Sequence, residues 1–211
     1  MATLLQDNFT DANSTNITSH TMDVGPGWSS SWSNAADIQS NQYNPIDPGS
    51  YGSSYTDAGA ADYTASLDVI IGASPADAYL GMIVRFALGA AEILNSGYLV
   101  CVYEQGDSVN IVEVPSFTVR ASASKTINTS TTYNISVVAS GTTLTLSVDG
   151  VEQCSYSSAS VNSSSSLISL RGPASQRYDN FLVTGGAAIT ADQWHPATNL
   201  PPRRKQRIVS Y

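Results

Sequence analysis

Four glutamates, Glu92, Glu104, Glu113 and Glu152, are the first residues to weigh for acid–base chemistry in this chain of 211 residues. Glycoside hydrolysis needs two carboxyl groups facing one sugar, roughly 5 to 10 Å apart. Alternate positions of a strand supply that spacing. No glutamate here has an aspartate two positions on, and Glu104 and Asp107, three apart, point to opposite faces of a strand. A Ser-His-Asp site has only His20 and His195 to draw on. The chain has no Gly-x-Ser-x-Gly, no Walker loop and no Cys/His cluster with zinc spacing. These absences predict a protein that is not an enzyme.

Binding chemistry has better material. Trp28, Trp32, Tyr43, Tyr51 and Tyr55 fall within one stretch, with Asn34, Asn41 and Asn44 among them. Aromatic faces that stack on pyranose rings, with amides beside them, suit a carbohydrate. The competing reading is that such large rings are buried. Trp28, Tyr43, Tyr51 and Tyr55 are therefore the candidate carbohydrate-binding residues.

The elements that must position them are strands. Charged residues are 12% of the chain, while 32 Ser and 18 Thr are present. A chain poor in Lys and Glu and rich in Ser, Thr, Val and Tyr disfavours helix and favours strand. The formal net charge is −8, which disfavours nucleic acid or an anionic membrane as the partner of the whole chain. The charge is uneven. Residues 1–200 hold 5 basic against 17 acidic residues, while Arg203, Arg204, Lys205 and Arg207 make the end +4. No 18-residue apolar run predicts a transmembrane helix. The opening MATLLQDNFTD lacks a basic region followed by an apolar core, so no secretory signal is expected. Cys101 and Cys154 read as small buried hydrophobes, and their pairing is not legible from sequence.

The hydrophobic period is 2 almost throughout. Tyr63, Ala65, Leu67 and Val69 share one face of a strand, and so are Leu80, Met82, Val84 and Phe86 expected to do. Segment 97–104 is apolar on both faces and predicts a covered central strand. Segments 109–114 and 117–121 predict shorter strands around Pro115. Residues 132–156 predict a three-stranded meander with turns at Ser140-Gly141 and Asp149-Gly150, the latter a strong hairpin signal. Residues 178–184 predict the closing strand, beside the first. Residues 25–61 predict long loops with short strands, and Thr190–Trp194 one helical turn before Pro196. Many short antiparallel strands mean a sandwich or barrel.

The opening DNFTDANSTNITSHTMDVGPGW resembles the start of domains of the concanavalin A-like lectin/glucanase superfamily, of laminin-G-like type. The matching phrases are Asp7, Phe9 and Thr10, then Ile17 to Thr21, then Gly25 and Trp28. DYTASLDV, the Val-Asp-Gly hairpin at 148–150 and RYDNFLVTG at 177–185 resemble the same family. The resemblance spans about residues 3–185 and is the kind seen in tailed-phage virion proteins. It implies an all-β, two-sheet antiparallel jelly-roll sandwich over 1–185; residues 186–211, with Pro196, Pro201, Pro202 and four basic residues, read on their own composition as an extended basic tail. The resemblance also implies calcium joining the first and last strands, with Asp179 and either Asp7 or Asp11 as ligands. The paired acids of the family's glucanases, in a pattern like Glu-x-Asp-x-x-Glu, are missing.

The function expected from these features is that of a virion structural protein of a tailed bacteriophage. Capsid decoration, a head fibre and a tail-associated lectin-like protein are its forms, with adhesion to glycans as an added role. The alternative is a carbohydrate-binding module of a bacterial or viral protein. Trp194, Arg203, Arg204, Lys205, Arg207 and Tyr211 are the expected contacts of a docking tail. Its partners would be a second copy, in a symmetric homo-oligomer such as a trimer, and a capsid or tail protein.

Overall fold

The computed structural model describes residues 1–30, 36–46, 54–73, 79–89, 95–174 and 176–185. Among the described residues fifteen strands occur in chain order: β1 Thr3–Asp7, β2 Ser29–Ser30, β3 Ala36–Ile38, β4 Tyr43–Pro45, β5 Ser54–Asp57, β6 Tyr63–Ile70, β7 Tyr79–Ala87, β8 Ser96–Tyr103, β9 Ser108–Val114, β10 Thr118–Ser124, β11 Thr132–Ser140, β12 Thr143–Val148, β13 Val151–Tyr156, β14 Leu167–Arg171 and β15 Arg177–Gly185. No helix is present among the described residues. The Thr190–Trp194 turn and the whole 186–211 tail, with every docking residue named above, lie outside them.

The strands form two antiparallel sheets. One runs β13-β12-β11-β6-β15-β4-β3, with β1 also on β15; the other runs β10-β9-β8-β7-β14-β5-β2. β1 and β15 pair with Asp7 opposite Phe181, so the first and last strands are neighbours as the sequence predicts. The 132–156 meander is present. Asp149 and Gly150 take φ of 52° and 76°, the left-handed pair that a tight hairpin turn requires. The first turn lies one residue later than expected. Ser140 pairs with Thr143, so Gly141 and Thr142 form the turn, and Gly141 at φ 53° takes the left-handed position that glycine tolerates.

The core lies between the sheets. β6 alternates without exception, with Tyr63, Ala65, Leu67 and Val69 inward. β8 and β7 are buried on both faces. Leu80, Met82 and Val84 face the main core, while Ile83, Phe86, Leu99, Cys101, Val112 and Val114 make a second cluster on the opposite face of the seven-stranded sheet. Phe86 thus faces away from Leu80, contrary to the simple alternation. The cause is Arg85 at φ 52°, where the β7–β8 register shifts by a bulge between Val84 and Ala87. An inserted residue flips the face of every residue after it. Gly81 has no room for a side chain, because a Cβ would sit 2.1 Å from the Val100 carbonyl oxygen. Both cysteines are free, and burial raises the thiol of Cys154 to about 11.

Candidate functional site

The candidate sugar-stacking aromatics are mostly inside. Trp28 is 5% exposed and Tyr43 fully buried. Their rings pack with Phe9, Phe181 and Tyr178, with centroids 5.2–6.3 Å apart. This corrects the platform expectation for both residues, since neither ring offers a face to solvent. The physical reason is Asp7. Its carboxylate, 1% exposed, accepts Trp28 Nε1 at 2.6 Å, the Phe9 amide at 2.7 Å and His20 Nε2 at 2.9 Å. The indole turns inward because its only polar atom finds a buried charged acceptor there. Tyr43 donates to Ser54 Oγ at 3.0 Å, and burial pushes its phenol well above the usual tyrosine range. Tyr55 is half-buried against Phe86. Asn44 donates to Asp37, and Asn41 is exposed in the β3–β4 turn. Tyr51, Trp32 and Asn34 lie outside the described residues.

The calcium expectation is also corrected at Asp7. Asp7 is 1% exposed and its oxygens already accept three hydrogen bonds from the protein, so it presents no open face to a cation. Asp179 sits opposite Asp68 on the β15–β6 rung. Burial holds its carboxyl above the usual range, and the charges of Asp68 and Asp7 add to the rise, against the Asn180 amide that lowers it. Asp68 itself accepts the side-chain amides of Asn134 and Asn180 at 2.7 and 2.8 Å. Asp11 accepts the Ala12 amide and lies 3.4 Å from His20 Nδ1. Among the described residues no three His, Cys, Asp or Glu side chains gather in a way that would hold a metal ion.

A depression of about 600 Å³ opens elsewhere, lined by Ala60, Ala61, Asp62, Gly141, Thr142 and Ser163. Three separate segments build it. Asp62 ends the loop before β6, Gly141 and Thr142 form the β11–β12 turn, and Ser163 belongs to the segment between β13 and β14. The segments are tied together. Asp62 Oδ1 accepts the Gly141 amide at 3.0 Å. The Thr142 hydroxyl donates to the Ser157 carbonyl at 3.1 Å, and the Thr142 carbonyl accepts the Ala159 amide at 2.8 Å. The Asp62 side chain is 53% exposed, so its carboxylate is open to a ligand's hydroxyl protons. The hydroxyl of Thr142 is spent as a donor toward Ser157 and still accepts, while Ser163 does either.

Arg85 lies beside this depression and is fully buried. Its Nη1 donates to the Ala159 carbonyl at 2.6 Å, its Nη2 donates to the Gly141 carbonyl, and Nη2 lies 4.0 Å from Asp62 Oδ1. Its backbone amide donates to the Tyr63 hydroxyl at 3.2 Å, and its carbonyl accepts Asn162 Nδ2 at 3.2 Å. The sequence reading missed this set. Asp62, Gly141, Thr142 and Ser163 form no motif and are scattered over a hundred positions. The available signal was Arg85, a lone cation inside the apolar run LGMIVRFA.

No protein-family model matches the chain, and no curated protein sequence matches it. Solved structures do. The carbohydrate-binding module CBM66 from Bacillus subtilis is 16% identical, with a TM-score of 0.60 over 76% of this chain and 97% of that one. A Bacillus subtilis protein of unknown function with a galectin-like fold is 11% identical, with a TM-score of 0.57 over 87% and 96%. A sialidase of Trypanosoma rangeli is 11% identical, with a TM-score of 0.50 over 71% of this chain, but this chain spans only 26% of that enzyme. At such identities the likeness is one of fold. The chain has the jelly-roll sandwich fold of galectin-like and carbohydrate-binding domains, in keeping with the concanavalin A-like resemblance of its sequence.

Proposed function

We propose that this protein is a non-enzymatic carbohydrate-binding module whose ligand, a neutral hydroxyl-rich glycan, sits in the depression at Asp62. The observation that carries the reading is the half-exposed Asp62 carboxylate, fixed by the Gly141 amide at the rim of an open depression with Thr142 and Ser163. Neighbouring sugar hydroxyls both donate and accept, and this lining offers acceptors at Asp62 and Thr142 and a donor at Ser163. Among the described residues one carboxylate, that of Asp62, lines the depression, whereas hydrolysis by paired acids needs two. A glycan array with the intact protein tests the reading. Binding to at least one neutral glycan is expected. Asp62→Ala should weaken it tenfold or more; because it also removes the acceptor of the Gly141 amide and the carboxylate beside buried Arg85, a melting curve checks that the variant is folded before affinities are compared. An array blank for the wild type, or an Asp62→Ala variant that binds equally well, contradicts it.

The setting that fits the family phrases of the sequence is a tailed-phage virion, with the module as a decoration, head-fibre or tail-associated protein that adheres to glycans. The basic segment at 203–207 would then dock on a capsid or tail protein or a second copy. Peptides of this chain are expected in mass spectra of purified particles from its source, and their absence would sink the virion setting while leaving the module reading intact.

A further inference from the structure

Arg85 breaks three local rules at once. It is a cation in an apolar strand, it is fully buried, and it holds a left-handed backbone at φ 52°. Its nearest carboxylate oxygen, on Asp62, is 4.0 Å away, and its Nε finds no acceptor among the described residues. Stability alone does not select such a residue, because a well-packed apolar side chain usually serves a core as well as or better than a desolvated ion. Departures of this kind concentrate at functional sites.

What Arg85 touches shows the use. Its two terminal nitrogens hold the carbonyls of Gly141 and Ala159. The Gly141 amide is in turn the group that fixes Asp62, and the Ala159 amide bonds the Thr142 carbonyl. Its own backbone groups engage Tyr63, next to Asp62, and Asn162, next to Ser163. Each of the three segments that line the depression is thus anchored on one side chain and its peptide groups. The guanidinium fork is planar and offers several donors at fixed angles, which a lysine ammonium does not reproduce.

We infer that Arg85 is the positioning residue of the glycan site: it never meets the ligand but sets the Asp62–Gly141–Thr142 constellation from below and keeps a positive charge beside the Asp62 carboxylate. This rests on the carbohydrate-binding reading and names how that site is preorganised. Preorganised acceptors bind more tightly because less ordering remains to be done on binding.

The test compares Arg85→Met and Arg85→Lys with the wild type, all as the full chain, by amide hydrogen exchange and by titration with a glycan found on the array. Arg85→Met leaves the Gly141 and Ala159 carbonyls without their donor and should fold with a lowered melting temperature. Exchange should accelerate tenfold or more at the Gly141 and Ala159 amides while β6, β8 and β9 keep their protection. Glycan affinity should fall at least tenfold, and Arg85→Lys should restore part of both. Wild-type protection at Gly141 and Ala159 in Arg85→Met overturns the inference, as does wild-type affinity. If Arg85→Met does not fold, Arg85→Lys decides. Faster exchange confined to Gly141 and Ala159 supports the positioning role, and uniform acceleration across both sheets overturns it. If the wild type binds no glycan, the functional reading fails, while the exchange pattern still shows whether Arg85 holds these segments.

Discussion

Phe181→Ala should lower the unfolding free energy by about 3–5 kcal/mol. Phe181 is fully buried on β15, opposite Asp7 of β1, and its ring lies 5.2 Å from that of Trp28. Its neighbours are other rings of the same cluster and the paired strands β1 and β15, so the hole has little means to collapse. Domains of this kind have margins of about 5–15 kcal/mol, so the variant should melt far below the wild type or fail to accumulate folded. Urea titration followed by tryptophan fluorescence reads the change directly, since Trp28 reports on the same cluster. A loss under about 1 kcal/mol would mean that the β1–β15 pairing does not place Phe181 in the core.

Asp7→Ala should cost a similar amount, about 3–5 kcal/mol, by a different mechanism. Removing one partner from a buried charged network leaves the others unsatisfied. Here the Trp28 indole N–H, the Phe9 amide and His20 Nε2 would all lose their acceptor inside an aromatic cluster. Asp7→Asn keeps an acceptor oxygen of the same shape and should retain part of the stability. The same urea titration checks both variants. Equal stability of Asp7→Ala and the wild type would show that Asp7 is not the anchor of that cluster. The two predictions separate packing from polar satisfaction at one place in the fold, where the phrases around Asp7, Trp28 and Phe181 converge.

Much of this architecture is legible in the residues. Strict alternation in β6, β11 and β12 and the Asp149-Gly150 turn each specify a local structure that tertiary contacts do not override. The adjacency of β1 and β15 follows from where a sandwich must bring its ends. Alternation fails at β7 because a bulge is a tertiary feature. Arg85 is drawn inward by the carbonyls of Gly141 and Ala159, which are 56 and 74 residues away, and no local pattern encodes that. Residue type alone points Trp28 and Tyr43 toward a sugar platform. Their direction is set by Asp7 and Ser54, partners at sequence separations of 21 and 11. The depression was invisible for the same reason. It is lined by two alanines, an aspartate, a glycine, a threonine and a serine, none of which is unusual until three chain segments meet.

The central claim is that a glycan occupies that depression. Its most direct test is backbone amide chemical-shift mapping of the isotope-labelled full chain during titration with a neutral oligosaccharide selected on the array. The account predicts saturable shifts concentrated at Asp62, Gly141, Thr142 and Ser163, with the amides of β8 and β9 unmoved. Shifts confined to the outer face of either sheet, or to the segment after Gly185, with none at Gly141 and Thr142, would contradict it.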